Sequence, residues 1–147
     1  MSKINAGKAV AGGILAGVVL TGFDFASSNY LLANDWQNVA HLRNIDPTLM
    51  GGTAALVTML LVDFVIGQVL VLTYAAIRPR FGAGPGTAAI ASFLIFLPQA
   101  LLLATFGGWF LSWDLYFRQA AVMLVSILAA GFAGGWVYAE EEEEDTA

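Results

Sequence analysis

The sequence predicts an all-α fold, a bundle of four transmembrane helices. Three observations carry that reading: the spacing of the charges, the bulk composition, and the placement of the basic residues. Between Lys8 and Asp35 the only charge is Asp24, and between Asp46 and Arg78 it is Asp63. Phe81 to Trp113 and Gln119 to Ala139 carry none. A helix needs about 20 apolar residues to cross a hydrocarbon core, and four such stretches imply four crossings. The chain has 147 residues, 59% of them hydrophobic and only 12% charged, which agrees. Four of the six basic residues, Lys3, Lys8, Arg78 and Arg80, fall at the N-terminus or between the second and third crossings. Basic residues stay cytoplasmic, so both termini are expected inside, with Arg43 and Arg118 on the outer side.

The first crossing, about residues 9–32, is glycine-rich, with Ala9, Gly13 and Gly17 at four-residue spacing. Lys3 and Lys8 ahead of an apolar run that ends in Ala26 to Ser28 resemble a secretory signal, but the run reads as a helix. The loop that follows is long enough to fold, and residues 35–43 place Trp36, Val39 and Ala40 on one face. Asn34 or Asp35 is expected to cap this short interfacial helix and Asp46 before Pro47 to end it. The second crossing, about 54–77, leads into Arg78-Pro-Arg-Phe-Gly-Ala-Gly-Pro, read as a tight turn and a cytoplasmic anchor through Arg78 and Arg80. The third, about 86–106, carries Pro98 and is expected to kink. The fourth, about 114–139, has Gly131 and Gly135 at the spacing of Gly13 and Gly17. Small residues so spaced let helices approach closely in lipid. Either the first and fourth helices touch there, or one glycine face serves a homodimer or a larger partner. An outer aromatic belt (Trp36, Trp109, Trp113, Tyr116) and an inner one (Tyr74, Phe81, Trp136, Tyr138) bracket the spans. Gly67 precedes Tyr74-Ala75 as Gly131 precedes Tyr138-Ala139, a faint echo of two related hairpins. Residues 1–139 thus form the membrane domain and 140–147 an acidic tail. That tail alone contributes six negative charges to a net of −5, and such a run is expected to be solvated and disordered.

Intramembrane polar groups are costly in hydrocarbon and therefore informative. At about 1.5 Å per residue, Asp24 lies about 24 Å from Lys8, Asp63 about 22 Å from Arg78, Gln99 about 21 Å from Pro85 and Ser126 about 21 Å from Glu140. One polar layer in the outer third of the membrane follows, with Gln68 about a turn deeper. Two carboxylates at one depth in low dielectric cannot comfortably both ionise. Arg118 is the nearest cation, expected to reach inward to Asp24 or Asp63 while Asp114, four residues earlier, holds it from the other side. The layer is either a hydrogen-bonded clasp that fixes helix packing or a proton or cation site.

Nothing else points to chemistry. The sole histidine, His41, lies in the outer loop, so no span offers a haem ligand. No lysine sits mid-membrane, Gly82-Ala-Gly-Pro is too short for a phosphate loop, and no nucleophile or metal-ligand set has suitable spacing. With no cysteine there is no thiolate site. The expectation is a non-enzyme without cofactor, metal or nucleic-acid partner.

Tyr74-Ala-Ala-Ile-Arg-Pro-Arg-Phe-Gly-Ala-Gly-Pro, with Asp24-Phe25 and Asp63-Phe64, resembles the YAAIRPRFGxGP turn of uncharacterised small four-helix bacterial integral membrane proteins. The resemblance covers most of the chain. That group tends to have Pro where this chain has Ala83 and a basic residue where it has Gly86, so this turn is less rigid and less basic. The resemblance implies a bacterial inner (cytoplasmic) membrane setting and brings no activity with it. Taken together, the sequence suggests an accessory or structural subunit of a larger membrane complex, or a homo-oligomer, in contact with the lipid bilayer and with other membrane subunits or itself. The alternative is a small proton- or cation-conducting carrier or channel.

Overall fold

The computed structural model describes residues 4–46 and 52–144, and the side chains of these except 106–110 and 139–144. Its α-helices are α1 (Ala6–Ala26), α2 (Ala33–Leu42), α3 (Thr53–Phe81), α4 (Pro85–Phe110) and α5 (Trp113–Glu144). A single π-helical turn, Ser27–Leu31, extends α1, and the Leu32 amide donates back to the Ser27 carbonyl at 2.8 Å. Four stretches, Ala6–Leu31, Thr53–Phe81, Pro85–Thr105 and Trp113–Tyr138, are long and apolar enough to cross a membrane. The protein is therefore a multi-pass membrane protein.

Its packing runs opposite to that of a soluble bundle. Val10, Ile14 and Val18 of α1, Leu61 and Val65 of α3, and Phe93 and Leu97 of α4 are all exposed. The residues buried on α1 are mostly small: Ala9, Gly12, Gly13, Ala16, Gly17 and Leu20 line its seams. Lipid solvates large apolar side chains as well as a core does, so helices associate where small residues let backbones close up. α1 is the best-packed helix, lying against both α3 and α5.

Each neighbour of α1 has its own stripe. A Cβ on Gly67 of α3 would come within 2.6 Å of the Gly13 carbonyl oxygen and of the Gly17 amide nitrogen. A Cβ on Gly12 would come within 2.6 Å of the Gly134 carbonyl oxygen of α5. The first and last helices do touch, but through Gly12, Ala16 and Gly134. Gly13 and Gly17 face α3 instead, while Gly131 packs on Ser92 and Ala88 of α4 and Gly135 on Ala88 and the Tyr74 ring. Neighbouring residues on a helix point about 100° apart, so Gly12 and Gly13 serve different partners. The two hairpins repeat one contact: Gly67 rests on Gly13 and Gly17 as Gly131 rests on Ala88 and Ser92. The rings of Tyr74 and Tyr138, each seven residues further on, meet edge to face at 6.0 Å.

Several boundaries differ from the sequence reading. α3 runs through Pro79 to Phe81, because a proline in the last turn removes only one ladder bond and the Gly82 amide still donates to the Arg78 carbonyl at 2.8 Å. The turn shrinks to Gly82, Ala83 and Gly84, where Gly82 at φ 84° and Gly84 at φ 130° adopt backbone conformations that favour glycine. Pro85 then starts α4, where its missing donor costs nothing. α2 begins at Ala33, so Asn34 and Asp35 lie inside its first turn and neither caps it. It ends at Leu42, ahead of Asp46, and Asn44 just beyond it has a φ of 54° that lets the Ile45 amide reach the Ala40 carbonyl at 2.9 Å. Pro47 lies outside the described residues. α5 continues to Glu144, so the acidic run is helical at least that far, contrary to the disordered tail expected. Tyr74 and Tyr138 are buried in the core rather than placed in an inner belt, whereas Phe81, Trp136 and Trp113 are exposed. The side chain of Trp109 lies outside the described residues.

Gly67→Ala is expected to separate α1 from α3 and destabilise the protein by roughly 1–3 kcal/mol, because the obstructing atoms are backbone and cannot move aside. Gly22→Ala, where a Cβ meets nothing within 4 Å, is expected to be neutral or stabilising by up to about 1 kcal/mol. Thermal melts of both variants in the same detergent check this, and equal behaviour would refute the seam.

Candidate functional site

The expected polar layer gathers only in part. Asp63, on the buried face of α3, is 3% exposed. The Thr21 hydroxyl of α1 donates to its Oδ2 at 3.0 Å. The Asp24 carboxyl, one turn further along α1, lies close to that of Asp63. Thr21 and Asp24 share a face because residues three apart on a helix are neighbours. The glycine seam below them sets α1 close enough for these short side chains to meet Asp63. A turn deeper, the Gln68 amide donates to the Val10 carbonyl at 3.1 Å and covers Gly13. The α1–α3 seam is thus small residues in the middle with polar contacts on either side.

The other members of the layer turn away. The Gln99 amide donates to the Ile95 carbonyl of its own helix at 3.1 Å, and the Ser126 hydroxyl to Met123 at 2.9 Å. Neither bonds the Asp24–Asp63 pair. Short polar side chains bond their own helix where no neighbour presents a partner. Cross-helix hydrogen bonds between α4 and α5 come from Ser92, whose hydroxyl donates to the Ile127 carbonyl at 3.1 Å, and from Tyr116, whose hydroxyl donates to the Ala100 carbonyl at 3.4 Å.

Arg118 does not reach Asp24 or Asp63. It forms a fork with Asp35 of α2, Nη1 to Oδ2 at 2.9 Å and Nη2 to Oδ1 at 3.1 Å, and it also pairs with Asp114. Asp114 holds it from one side as expected, but the other partner lies outward. The early start of α2 places Asp35 within reach, and a half-exposed guanidinium avoids the cost of entering hydrocarbon. This ion pair fastens α2 to the end of α5.

At the opposite end Arg78 lies over the Tyr138 ring, 5.7 Å from its centroid, and the Gly84 amide donates to the Tyr74 hydroxyl at 3.3 Å. Arg80 is exposed. The basic anchor therefore packs on the aromatic pair that joins α3 and α5. Thr21 and Ser92 escaped the sequence reading, and Asp35 was read only as a helix cap. Thr21 was signalled by its position three residues before Asp24, and Ser92 by being a hydroxyl in the middle of a span. Asp35 had no comparable signal.

Comparison with protein-family models, curated proteins and solved structures gives no match.

Arg118→Gln is expected to loosen α2 alone. Amide hydrogen exchange over residues 33–42 should rise severalfold while exchange in α1 and α3 stays unchanged, and 1 M salt should produce part of the same effect in the unmodified protein by screening the pair. Unchanged exchange in α2 would show that the ion pair does not hold it.

Proposed function

We propose that the protein is a non-enzymatic integral membrane protein that serves as an accessory or structural subunit of a larger membrane complex, or as a homo-oligomer. Its setting is the bacterial inner membrane, with both termini cytoplasmic and α2 lying on the outer interface. Lys8, Arg78 and Arg80 at one end, against Arg43 and Arg118 at the other, support that orientation. The trio of Trp36, Val39 and Ala40 on one face of α2 supports its place at the interface.

The observation that carries this reading is the fate of the polar side chains. The Thr21 hydroxyl bonds Asp63 with the Asp24 carboxyl beside it, Gln99 and Ser126 bond their own helices, and Arg118 is held by two carboxylates away from the pair. These are the contacts of a clasp that orders helices, not of a relay that runs through a membrane. The large exposed side chains of α1, α3 and α4 offer faces to lipid or to neighbouring subunits.

A second reading rests on one observation, that two carboxyls share a site within the spans. On that reading the pair is the loading site of a small proton or cation carrier. Asp63→Asn separates the two. As a clasp, the amide still accepts from Thr21, so the variant assembles normally and proteoliposomes show the same proton and cation flux as the unmodified protein. Normal assembly with flux abolished would establish the carrier and overturn the structural role.

A further inference from the structure

At the end of the bundle that carries α2, the π-helical turn, α2 and the start of α3 border a half-open cavity of about 1100 Å³. Its volume is slightly above the range for sites that take a small organic ligand, roughly 300–1,000 Å³. The lining is divided by chemistry. Phe25, Ala55, Leu56 and Met59 form a carbon floor, and Asn29, Trp36, Gln37, His41 and Asn44 supply hydrogen-bonding groups around it. Among the described residues no Asp, Glu, Lys or Arg lines it. The floor joins the face that lipid touches, for Phe25 is 49% and Leu56 47% exposed. The π-helical turn widens α1 here, and such turns occur frequently at functional sites. Within it the Asn29 amide group donates to the Phe25 carbonyl at 2.8 Å, which leaves its own carbonyl oxygen free of that bond.

We propose that this cavity binds one amphipathic membrane lipid with an uncharged, hydrogen-bonding head. The tail lies over Phe25, Leu56 and Met59, and the head sits among Asn29, Gln37 and His41. A water-soluble metabolite would leave the carbon floor unused, and an anionic phospholipid head would find no Lys or Arg in the lining to pair with it. An entry at the lipid-facing floor suits a ligand that arrives from within the bilayer. Two sources share this chemistry, an isoprenoid quinone and a diacylglycerol-type lipid.

The test is native mass spectrometry of the full chain in detergent micelles, titrated separately with decylubiquinone, dioleoylglycerol and dioleoylphosphatidylglycerol. The expected result is a saturable one-to-one adduct with decylubiquinone or with dioleoylglycerol, and whichever binds identifies the source. It should form at a concentration at least about tenfold below that needed for the phosphatidylglycerol adduct, a difference equivalent to losing about one good polar contact. Ala55→Trp, which fills the cavity, should abolish the adduct. Gln37→Leu, at an exposed position away from the helix seams, should weaken it about tenfold, and it decides the matter alone if Ala55→Trp does not fold. Binding of phosphatidylglycerol as strong as that of the uncharged probes would overturn the proposal. So would the absence of both uncharged adducts, or adducts that Gln37→Leu leaves unchanged.

Discussion

The close approach of α1 to α3 is the constraint on which the rest of the bundle depends. In lipid there is no expulsion of apolar surface to pull helices together, so association rests on packing and on polar contacts. Gly67 supplies the packing by letting its backbone lie against Gly13 and Gly17. That proximity lets the Thr21 hydroxyl, on a one-carbon stem, reach the Asp63 carboxyl. A wider spacing would leave Asp63 facing hydrocarbon without partners, at a cost of several kcal/mol for a buried, unpaired polar group. Glycine seam and carboxyl clasp therefore stand or fall together. The same α1 uses its adjacent stripe, Gly12 and Ala16, to seat α5, which makes it the member that orders the bundle.

The two ends of the molecule are finished differently. One end is closed by packing: Tyr74 meets Tyr138, Arg78 covers the second ring, and a three-residue glycine turn ties α3 to α4. The other is held by charge, through the fork between Arg118 and Asp35. Beside that fork α1 widens into a π-helical turn, and a cavity opens beneath α2. Packing holds more tightly than a half-exposed ion pair, which salt screens, so the end that carries α2 is the adaptable one. A bundle closed by packing at one end and held by charge at the other has its place for a ligand or neighbour to act at the second.

The four spans were legible because hydrocarbon imposes a rule without exceptions: about 20 apolar residues, with each polar group accounted for. Depth was legible for the same reason, and it brought Asp24 and Asp63 to one level. Direction around the helix was not. Gln99 and Ser126, expected at that level, bond carbonyls of their own helices, since a charge-free stretch has no polar face from which to read rotation. The glycine stripes were seen, yet assigned to the wrong neighbour by one residue, because a helix between two partners carries two stripes side by side. Pro79 was taken as a helix stop although the last turn tolerates it. The Asp35 contact depended on where α2 starts, and propensities around Leu32 to Asp35 do not fix a boundary to within two residues.

The most direct test of the α1–α3 clasp is a double-mutant cycle between Thr21→Val and Asp63→Leu, read from reversible unfolding in mixed micelles. If the hydroxyl and carboxyl bond across the seam, the coupling energy should fall in the range measured for interhelical hydrogen bonds in membranes, about 0.6–1.7 kcal/mol. Effects that add to within about 0.3 kcal/mol would mean that the two side chains act independently, and the seam would lose the contact that defines it.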